Sequence, residues 1–339
     1  MKLKHNLILL IVLIVFASVI LLVERPFENK TKKTREEASP LFPDLKVEQV
    51  KKIVVKKGTT TTTLENRDNL WYLLDKEAYP ADPTIVEGVI KKIQDFKKIN
   101  LASRKKDKHS LFEVKEGMGV EVTLFGPEKK ELARFFIGKT GPDFLSTYIR
   151  KADSDDVYLY DDYLRGDFDK QVNNWRDKTI LAFNPTEVVT LTISKLKEKE
   201  TIALTKDTQD NWQLEEPISS LAKNPPIEKF LATLGNLKAA DFADEEKEVK
   251  DSGIDDPTYQ ITVRLKDNRK KTLLVGNKKE KGQYYAKNDE KKYLFLLDQN
   301  TVESLVPKVK DLQKAKTESE EKKPPEKKEP PPPPSLSRR

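Results

Sequence analysis

"NLWYLLDKEAYPADPTIVEGVIKKIQDF" (residues 69–96) and "DNWQLEEPISSLAKNPPIEKFLATLGNL" (residues 210–237) follow one pattern, and they place Trp71 and Trp212 in equivalent positions about 141 residues apart. In each stretch a strand-like run from the tryptophan is followed by prolines and then by apolar residues at three- and four-residue spacing, which is typical of one face of a helix. The matched positions are Ala81 with Ala222, and Val86, Val89, Ile90, Ile93 and Phe96 with Ile227, Phe230, Leu231, Leu234 and Leu237. The chain is therefore predicted to be a tandem duplication.

The strands that follow the helix are also duplicated. Three alternating apolar residues at 120–124 match three at 261–265, and "FFIGK", ending at Lys139, matches "LLVGN", ending at Asn277. Alternation predicts strands with one buried face, and their short spacing predicts antiparallel hairpins. We therefore predict an α+β fold of two tandem repeats, each a curved, mostly antiparallel sheet with one crossover helix. At Gly138 and Gly276 we predict turns that need a positive φ.

The N-terminus has the composition of a membrane segment. Residues 7–23 are apolar and end at Glu24, and at ~1.5 Å per residue they give roughly 25 Å, enough to cross the hydrocarbon of a bilayer. The sequence after Ala17-Ser18 stays apolar and does not resemble a cleavage site. We predict an uncleaved signal-anchor over residues 1–27, with a cleaved signal as the alternative. The N-terminus is expected in the cytoplasm and the body outside the plasma (inner) membrane, as in a single-pass protein.

The remaining boundaries follow from composition and periodicity. We predict a polar tether (28–42), repeat 1 (43–163), a connector helix (164–182), repeat 2 (183–312) and a Lys/Glu/Pro-rich disordered tail (313–339). The connector is predicted because Leu164, Phe168, Val172 and Trp175 have helical spacing. Trp175 is expected to clamp the two repeats together.

The composition argues against several functions. The net charge is +7, but Lys and Glu are interleaved without a concentrated basic face, so no nucleic-acid partner is expected. The absence of cysteine excludes thiol nucleophiles, cysteine-ligated zinc and disulfides. His5 and His109 are the two histidines, and no nucleophile elbow or glycine-rich phosphate loop accompanies them. We therefore predict no catalytic residue, no cofactor and no enzymatic activity.

An acidic cluster suggests a cation site at first sight. Its members are Asp153, Asp155, Asp156, Asp161 and Asp162. An EF-hand loop needs glycine at its sixth position and glutamate at its twelfth, where this chain has Tyr158 and Leu164. The aspartates are therefore interpreted as turn residues beside the strand "VYLY", and no metal site is predicted.

Three features carry a resemblance to a known family: the duplicated pattern, "NNWRDKTI" between the copies, and "SGIDDPTYQITV" in the second copy. In these features the chain resembles the bacterial domain of unknown function 4340 over roughly residues 45–305. The residues that carry the resemblance are Trp71, Trp175, Trp212, Gly138, Gly276, Pro257, Tyr148 and Tyr285, while "GIDDP" stands for the commoner "GLD-P". That family has no established activity, so no catalytic residue is carried over. Its members tend to be encoded beside subunits of ABC-type transporters related to gliding motility, which implies a partner of that kind.

Three functions are considered. The first is a membrane-anchored extracytoplasmic accessory protein of an ABC-type transport system, which binds its partner through exposed residues near a seam between the repeats, with Trp175 and Arg176 as candidates. The second is a module for cell-wall glycan or peptidoglycan, with Tyr148, Tyr158, Tyr284 or Tyr285 as stacking platforms. The third is a hydrolase built on aspartates and a serine.

Overall fold

A computed structural model of the chain describes residues 39–75, 77–97, 100–243, 246–279 and 281–314. The predicted signal-anchor (1–27) and nearly all of the predicted tail (313–339) lie outside the described residues. Within the described part of the chain, no helix combines the length and the apolar character needed to span a membrane. The chain divides into two compact units, Met1–Asp177 and Lys178–Arg339, which contain repeat 1 and repeat 2.

Repeat 1 is built on a nine-stranded antiparallel sheet with the order β4-β3-β2-β1-β6-β7-β8-β9-β5. Its elements are β1 (Lys52–Lys57), β2 (Thr60–Arg67), β3 (Leu70–Leu74), β4 (Ala78–Pro80), α1 (Pro83–Gln94), β5 (Leu101–Ser103), β6 (Val120–Phe125), β7 (Glu131–Thr140), β8 (Thr147–Lys151), β9 (Val157–Tyr160) and α2 (Arg165–Phe168). Short 3₁₀ turns lie at Val47–Gln49, Lys106–Lys108, Pro127–Lys129 and Val172–Trp175. Because β4 and β5 are the two edges of the sheet, α1 is a crossover helix.

Repeat 2 repeats this topology with the order β14-β13-β12-β11-β17-β18-β19-β20-β16, and a separate pair is formed by β10 and β15. Its elements are β10 (Thr179–Ala182), β11 (Val188–Lys195), β12 (Glu200–Lys206), β13 (Trp212–Glu216), β14 (Ser220–Leu221), α3 (Asn224–Leu234), β15 (Asn236–Lys238), β16 (Asp241–Phe242), α4 (Glu246–Asp251), β17 (Tyr259–Leu265), β18 (Lys270–Lys278), β19 (Tyr284–Asn288), β20 (Phe295–Leu297), α5 (Gln299–Ser304) and α6 (Val309–Leu312). A 3₁₀ turn lies at Pro185–Glu187. The sheet-rich α+β class is thus confirmed, with several short helices besides the crossover helix of each repeat.

The long helix begins and packs as its sequence predicts. Asp82 caps α1, because its Oδ1 accepts hydrogen bonds from the backbone N–H groups of Thr84 (2.9 Å) and Ile85 (3.4 Å). The apolar stripe of the helix is buried, and so are the alternating residues of β6. The stripe of α3 belongs to the corresponding cluster of repeat 2. The two periodicities, 3.6 for the helix and 2 for the strands, therefore define the core of each repeat.

The predicted connector helix over residues 164–182 is wrong. This segment contains α2, the 3₁₀ turn Val172–Trp175 and then β10. The apolar residues with helical spacing are real core residues, and Leu164, Phe168 and Trp175 are buried. The backbone leaves the helical conformation at Asp169 (ψ 47°) and Gln171 (ψ 149°), which breaks the expected helix in two.

Residues 164–177, called here the strap of repeat 1, complete that repeat and do not connect it to the next. The backbone N–H of Asp82 donates to the carbonyl of Trp175 (2.9 Å), and that of Asp177 donates to Pro80 (2.8 Å). Residues 298–314 form the same strap in repeat 2, where Lys223 donates to Leu312 (2.7 Å). Repeat 1 therefore extends beyond its predicted end at residue 163.

The predicted start of repeat 1 at residue 43 is also too late. Pro40 forms a β-bridge with Lys97, and the backbone N–H of Leu41 donates to the carbonyl of Phe96 (2.7 Å). Leu41 and Phe42 are both buried. The last residues that were assigned to the tether (28–42) thus belong to the fold, because their apolar side chains have a core to enter.

The explanation predicted for two glycines is wrong as well. Gly138 and Gly276 lie inside β7 and β18 and do not have a positive φ. A β-carbon on either would lie 2.0 Å from a carbonyl oxygen, that of Phe112 or that of Ser252. The same carbonyls accept hydrogen bonds from the residues after the glycines, at 3.0 and 2.7 Å. Glycine is needed because a covering loop approaches the strand closely.

Candidate functional site

The two residues predicted to contact a partner across a seam are not exposed. Trp175 is fully buried and Arg176 is 3% exposed. The Lys170 ammonium lies 5.8 Å from the ring centre of Trp175, and the Arg176 guanidinium lies 3.8 Å from that of Tyr79. Their role in binding stays a prediction, but their expected exposure is wrong. Both are buried residues of the strap itself, in which Trp175 holds the place that Leu312 holds in repeat 2.

The four tyrosines predicted as stacking platforms are at least half-buried. Tyr148 packs on Phe112 with ring centres 4.6 Å apart. Tyr285 is 5% exposed, and burial raises its pKa. Burial also raises the pKa of Tyr158, helped by the nearby charge of Asp156, and Tyr284 packs against the core of repeat 2. Three of the four are thus partly buried and Tyr285 is buried, so the expectation that they are exposed platforms is wrong for Tyr285.

The acidic cluster surrounds β9 and is engaged in local contacts. Asp153 pairs with Lys151 at 3.1 Å, and the backbone carbonyl of Asp155 lies 3.0 Å from Nε2 of the buried His109. Asp162 pairs with Lys92 at 2.8 Å. In the part of the chain that the structure describes, no group of three or more potential ligands is placed to hold a metal ion. These contacts fit the interpretation of the aspartates as turn and surface residues.

The most unusual surface feature lies at the turn between β7 and β8, residues 141–146, called here the apolar tip. Phe144 is 82% exposed and Leu145 is 72% exposed. Phe144 also has a left-handed backbone conformation, with φ 61°. For a bulky L-residue this conformation costs on the order of 1 kcal/mol. Two adjacent large apolar side chains are thus held in water by a turn that is itself strained.

The apolar tip is closed by hydrogen bonds within the turn. Oδ1 of Asp143 accepts from the backbone N–H groups of Leu145 (3.1 Å) and Ser146 (2.9 Å), and from the Ser146 hydroxyl (2.5 Å). The backbone N–H of Gly141 donates to Ser146 (2.8 Å), and that of Phe144 donates to Gly141 (3.1 Å). The bonds from Ser146 and Leu145 lower the pKa of Asp143, so its carboxylate is charged at neutral pH. The tip is therefore a preorganised turn.

The end of β9 lies beside the base of the tip. The Thr147 hydroxyl donates to the carbonyl of Asp162 (2.8 Å) and accepts from the backbone N–H of Leu164 (3.0 Å). This places Asp161 and Tyr163 next to the tip, and both are exposed, Tyr163 by 47%. Among the residues that the structure describes, no lysine or arginine forms an ion pair with Asp143. The apolar tip thus carries the Asp143 carboxylate and has the exposed Tyr163 ring beside it, while the Asp161 carboxylate accepts a hydrogen bond from the Asn100 side chain (3.2 Å). The guanidinium of Arg165 donates to the carbonyl of Gly138 (3.0 Å) and pairs with Glu113.

The corresponding turn of repeat 2 has a similar backbone and a different surface. It joins β18 and β19, where the N–H of Lys279 donates to Gln283 (2.7 Å) and that of Gly282 donates to Lys279 (3.0 Å). Its sequence, "KEKGQ" (279–283), contains no apolar residue. The fold therefore does not require Phe144 and Leu145 at this place.

Sequence reasoning missed this site. The available signal was "DFLS" (143–146), two adjacent large apolar residues inside a turn of Gly, Pro, Asp and Ser, where the second copy has only polar residues and glycine. The residues that the two copies share form the core of each repeat. The tip is a place where the two copies differ.

The protein is thus a duplicated, sheet-rich α+β protein whose copies share a packing plan and differ in their surface turns. The chain belongs to the family described as "Domain of unknown function (DUF4340)", whose model matches residues 71–257 and 212–323. The two matches begin at Trp71 and Trp212, the same equivalent tryptophans that reveal the duplication. Neither a curated protein nor a solved structure matches the chain significantly.

Proposed function

We propose that this protein is a non-catalytic accessory protein on the extracytoplasmic side of the plasma membrane, where it binds another envelope protein that belongs to an ABC-type transport system. The observation that carries the proposal is the exposed apolar tip. The N-terminal apolar run would anchor the chain, and the resemblance to the family supplies the class of partner. No step of this function requires a reacting group.

The tip supports binding because its exposure is costly and is not required by the fold. Covering a Phe or Leu side chain is worth about 1.5–3 kcal/mol for each, so leaving both in water forgoes that stabilisation. Exposed apolar groups on a strained, internally bonded turn are typical of interaction sites. In repeat 2 the equivalent turn is polar, so the pair belongs to a function of repeat 1.

The anchor supports a tethering mechanism. Residues 7–23 would confine the repeats to the membrane, and the polar residues 24–38 would give them reach. A tether of this length would create an effective concentration in the millimolar range for a partner in the same membrane. A small contact surface such as the tip is then sufficient for stable association.

The test is affinity purification of the full-length protein from its native membrane after cross-linking, followed by mass spectrometry. We expect ABC permease and ATPase subunits with the unchanged protein, and at least tenfold less of them with the double variant Phe144→Ala, Leu145→Ala. The matched control is Leu70→Ala, which removes an apolar side chain that is 61% exposed elsewhere in repeat 1. Equal recovery from all three proteins would remove the tip from the function. Recovery of glycan fragments in place of transporter subunits would favour a wall-binding module.

A further inference from the structure

We infer that the apolar tip inserts into an apolar pocket of a folded partner protein whose rim is basic, and that it does not insert into lipid. This inference rests on the proposed function and specifies the chemistry of its partner site. Three properties of the tip carry it: the pairing of most of its backbone N–H groups, the charge of Asp143, and the small size of the apolar pair.

The hydrogen bonding of the tip backbone favours its transfer from water into an apolar pocket. Four of the five N–H groups in the tip, those of Gly141, Phe144, Leu145 and Ser146, have acceptors within the turn, and Pro142 has no N–H. The N–H of Asp143 is the remaining one and lies beside its own carboxylate. A backbone donor that is buried without a partner costs a large part of the gain from apolar burial. Since the other four donors are already paired, the tip can enter a dry pocket with little of that loss.

The charge of Asp143 decides between a protein pocket and lipid. The hydrogen bonds from Ser146 and Leu145 lower its pKa and keep the carboxylate ionised. This charge immediately precedes Phe144 in the sequence, and Asp161 is exposed beside the base of the tip. Carboxylates are costly in hydrocarbon, and the surface of a bilayer that contains anionic lipids repels them. A protein pocket can place lysine or arginine at its rim, where such carboxylates form charge-assisted hydrogen bonds.

The size of the apolar pair indicates how the tip would bind. A standard interface buries about 800 Å² on each partner, which is more than two side chains provide. Such interfaces often depend on a few buried anchors at the centre, surrounded by polar contacts. Phe144 and Leu145 match the anchors, while Asp143, Asp161 and Tyr163 match the surroundings.

The first experiment tests the basic rim on the full-length protein in its native membrane. Asp143→Asn retains an oxygen that can accept the bonds of the turn but removes the charge. We expect about tenfold less cross-linked partner with the Asp143→Asn, Asp161→Asn double variant at low salt. The difference from the unchanged protein should shrink at 1 M salt, where the Debye length falls to about 3 Å. The control is Asp153→Asn at the opposite end of β8, which should behave as the unchanged protein does.

The second experiment identifies what the tip touches. A photo-reactive benzophenone side chain at position 145 should cross-link to a peptide that contains both apolar and basic residues. Lipid contact is tested separately, with Phe144→Trp in vesicles whose acyl chains are brominated, both zwitterionic and anionic. We expect no more fluorescence quenching than for Leu70→Trp, because the tip does not enter the hydrocarbon. The comparison is matched, because both variants contain the three native tryptophans.

The outcomes separate this inference from the proposed function. Stronger quenching of Phe144→Trp than of Leu70→Trp would overturn the protein pocket in favour of lipid insertion. If Asp143→Asn, Asp161→Asn retains full binding while Phe144→Ala, Leu145→Ala loses it, the basic rim is wrong and the proposed function stands. If neither variant loses the partner, the tip is not the contact site, so this inference fails, and the proposed function keeps its partner but loses the tip as its binding surface.

Discussion

Replacing Gly138 with alanine should lower the free energy of unfolding of repeat 1 far more than an ordinary surface substitution does. The new β-carbon would lie 2.0 Å from the carbonyl oxygen of Phe112 and 2.7 Å from Cγ1 of Val114. The covering loop must therefore move away by about 1 Å or more, which costs about 1–3 kcal/mol. This movement would also break the 3.0 Å hydrogen bond from the backbone N–H of Lys139 to the carbonyl of Phe112. Leaving these groups without partners costs about 1–3 kcal/mol. Together we expect a loss of roughly 2–6 kcal/mol.

Gly88 provides the matched control. It is exposed in α1, and nothing lies within 4 Å of the position that a β-carbon would take. Gly88→Ala should stabilise repeat 1 by about 1 kcal/mol, because alanine favours the helix. The two substitutions add the same methyl group to the same repeat, and their predicted effects have opposite signs.

The assay is urea unfolding of the full-length protein in mild detergent, followed by tryptophan fluorescence. A Trp212→Phe background removes the tryptophan of repeat 2, so Trp71 and Trp175 report repeat 1 alone. With an m-value of about 2 kcal/mol/M, Gly138→Ala should lower the midpoint by roughly 1–3 M. A loss below about 1 kcal/mol would refute the close approach of the covering loop as the reason for this glycine.

Four further outcomes are expected. Trp175→Ala should destabilise repeat 1 by about 3–5 kcal/mol, measured by the same unfolding assay, because it empties a fully buried site. Asp82→Ala should cost about 1 kcal/mol by loss of the helix cap, while Lys223→Asp, at the uncapped equivalent in repeat 2, should stabilise that repeat by a similar amount in thermal unfolding. Phe144→Gly should alter stability by less than about 1 kcal/mol, since relief of the left-handed strain offsets the greater freedom of the unfolded chain, yet it should abolish partner recovery. The folded-state pKa of Asp143 is lowered, so its stabilisation of the turn is present above the ordinary value of about 3.9 and is lost as the pH falls through the lowered pKa, as an NMR titration of its carboxyl carbon should show.

The parts of the fold that the sequence predicts are those set by periodicity. The apolar stripes of α1 and α3 and the alternation in β6 and β17 define buried faces that only one local structure can produce. The duplication strengthens each prediction, because a second copy with different residues shows the same spacing. These elements are found within one to three residues of the positions that the matched apolar residues mark, and the largest difference is at the end of α3, where Leu237 lies in β15.

The errors arise where tertiary contacts decide. Leu164, Phe168 and Trp175 have helical spacing, but the strap must reach Pro80 and Asp82, and an unbroken helix does not follow that path. The need for glycine at position 138 depends on a loop that is distant in sequence, so local turn chemistry does not reveal it.

The candidate site was predictable in principle from its exposed apolar pair, but not from the duplicated core pattern or from the large aromatic residues. Trp175 and Tyr285 are predicted as contact residues because they are large and aromatic. The large apolar area of such side chains favours burial, and both are buried here. Phe144 and Leu145 were the better candidates because no strand alternation or helix stripe assigns them a buried face. The ionised Asp143 beside them is visible in the sequence, but its three acceptor contacts are not.

The strand arrangement has a mechanical consequence. The chain enters the fold at Pro40, in repeat 1, after the segment that is predicted to be a signal-anchor, and the apolar tip is in the same repeat. If a moving partner pulls on the tip while the membrane holds the anchor, the force passes through the hydrogen-bond ladder of the first sheet. Repeat 2 lies outside that load path and carries no tension. Only repeat 1 would therefore need to resist mechanical unfolding, and the sequence of repeat 2 would not be constrained by that requirement.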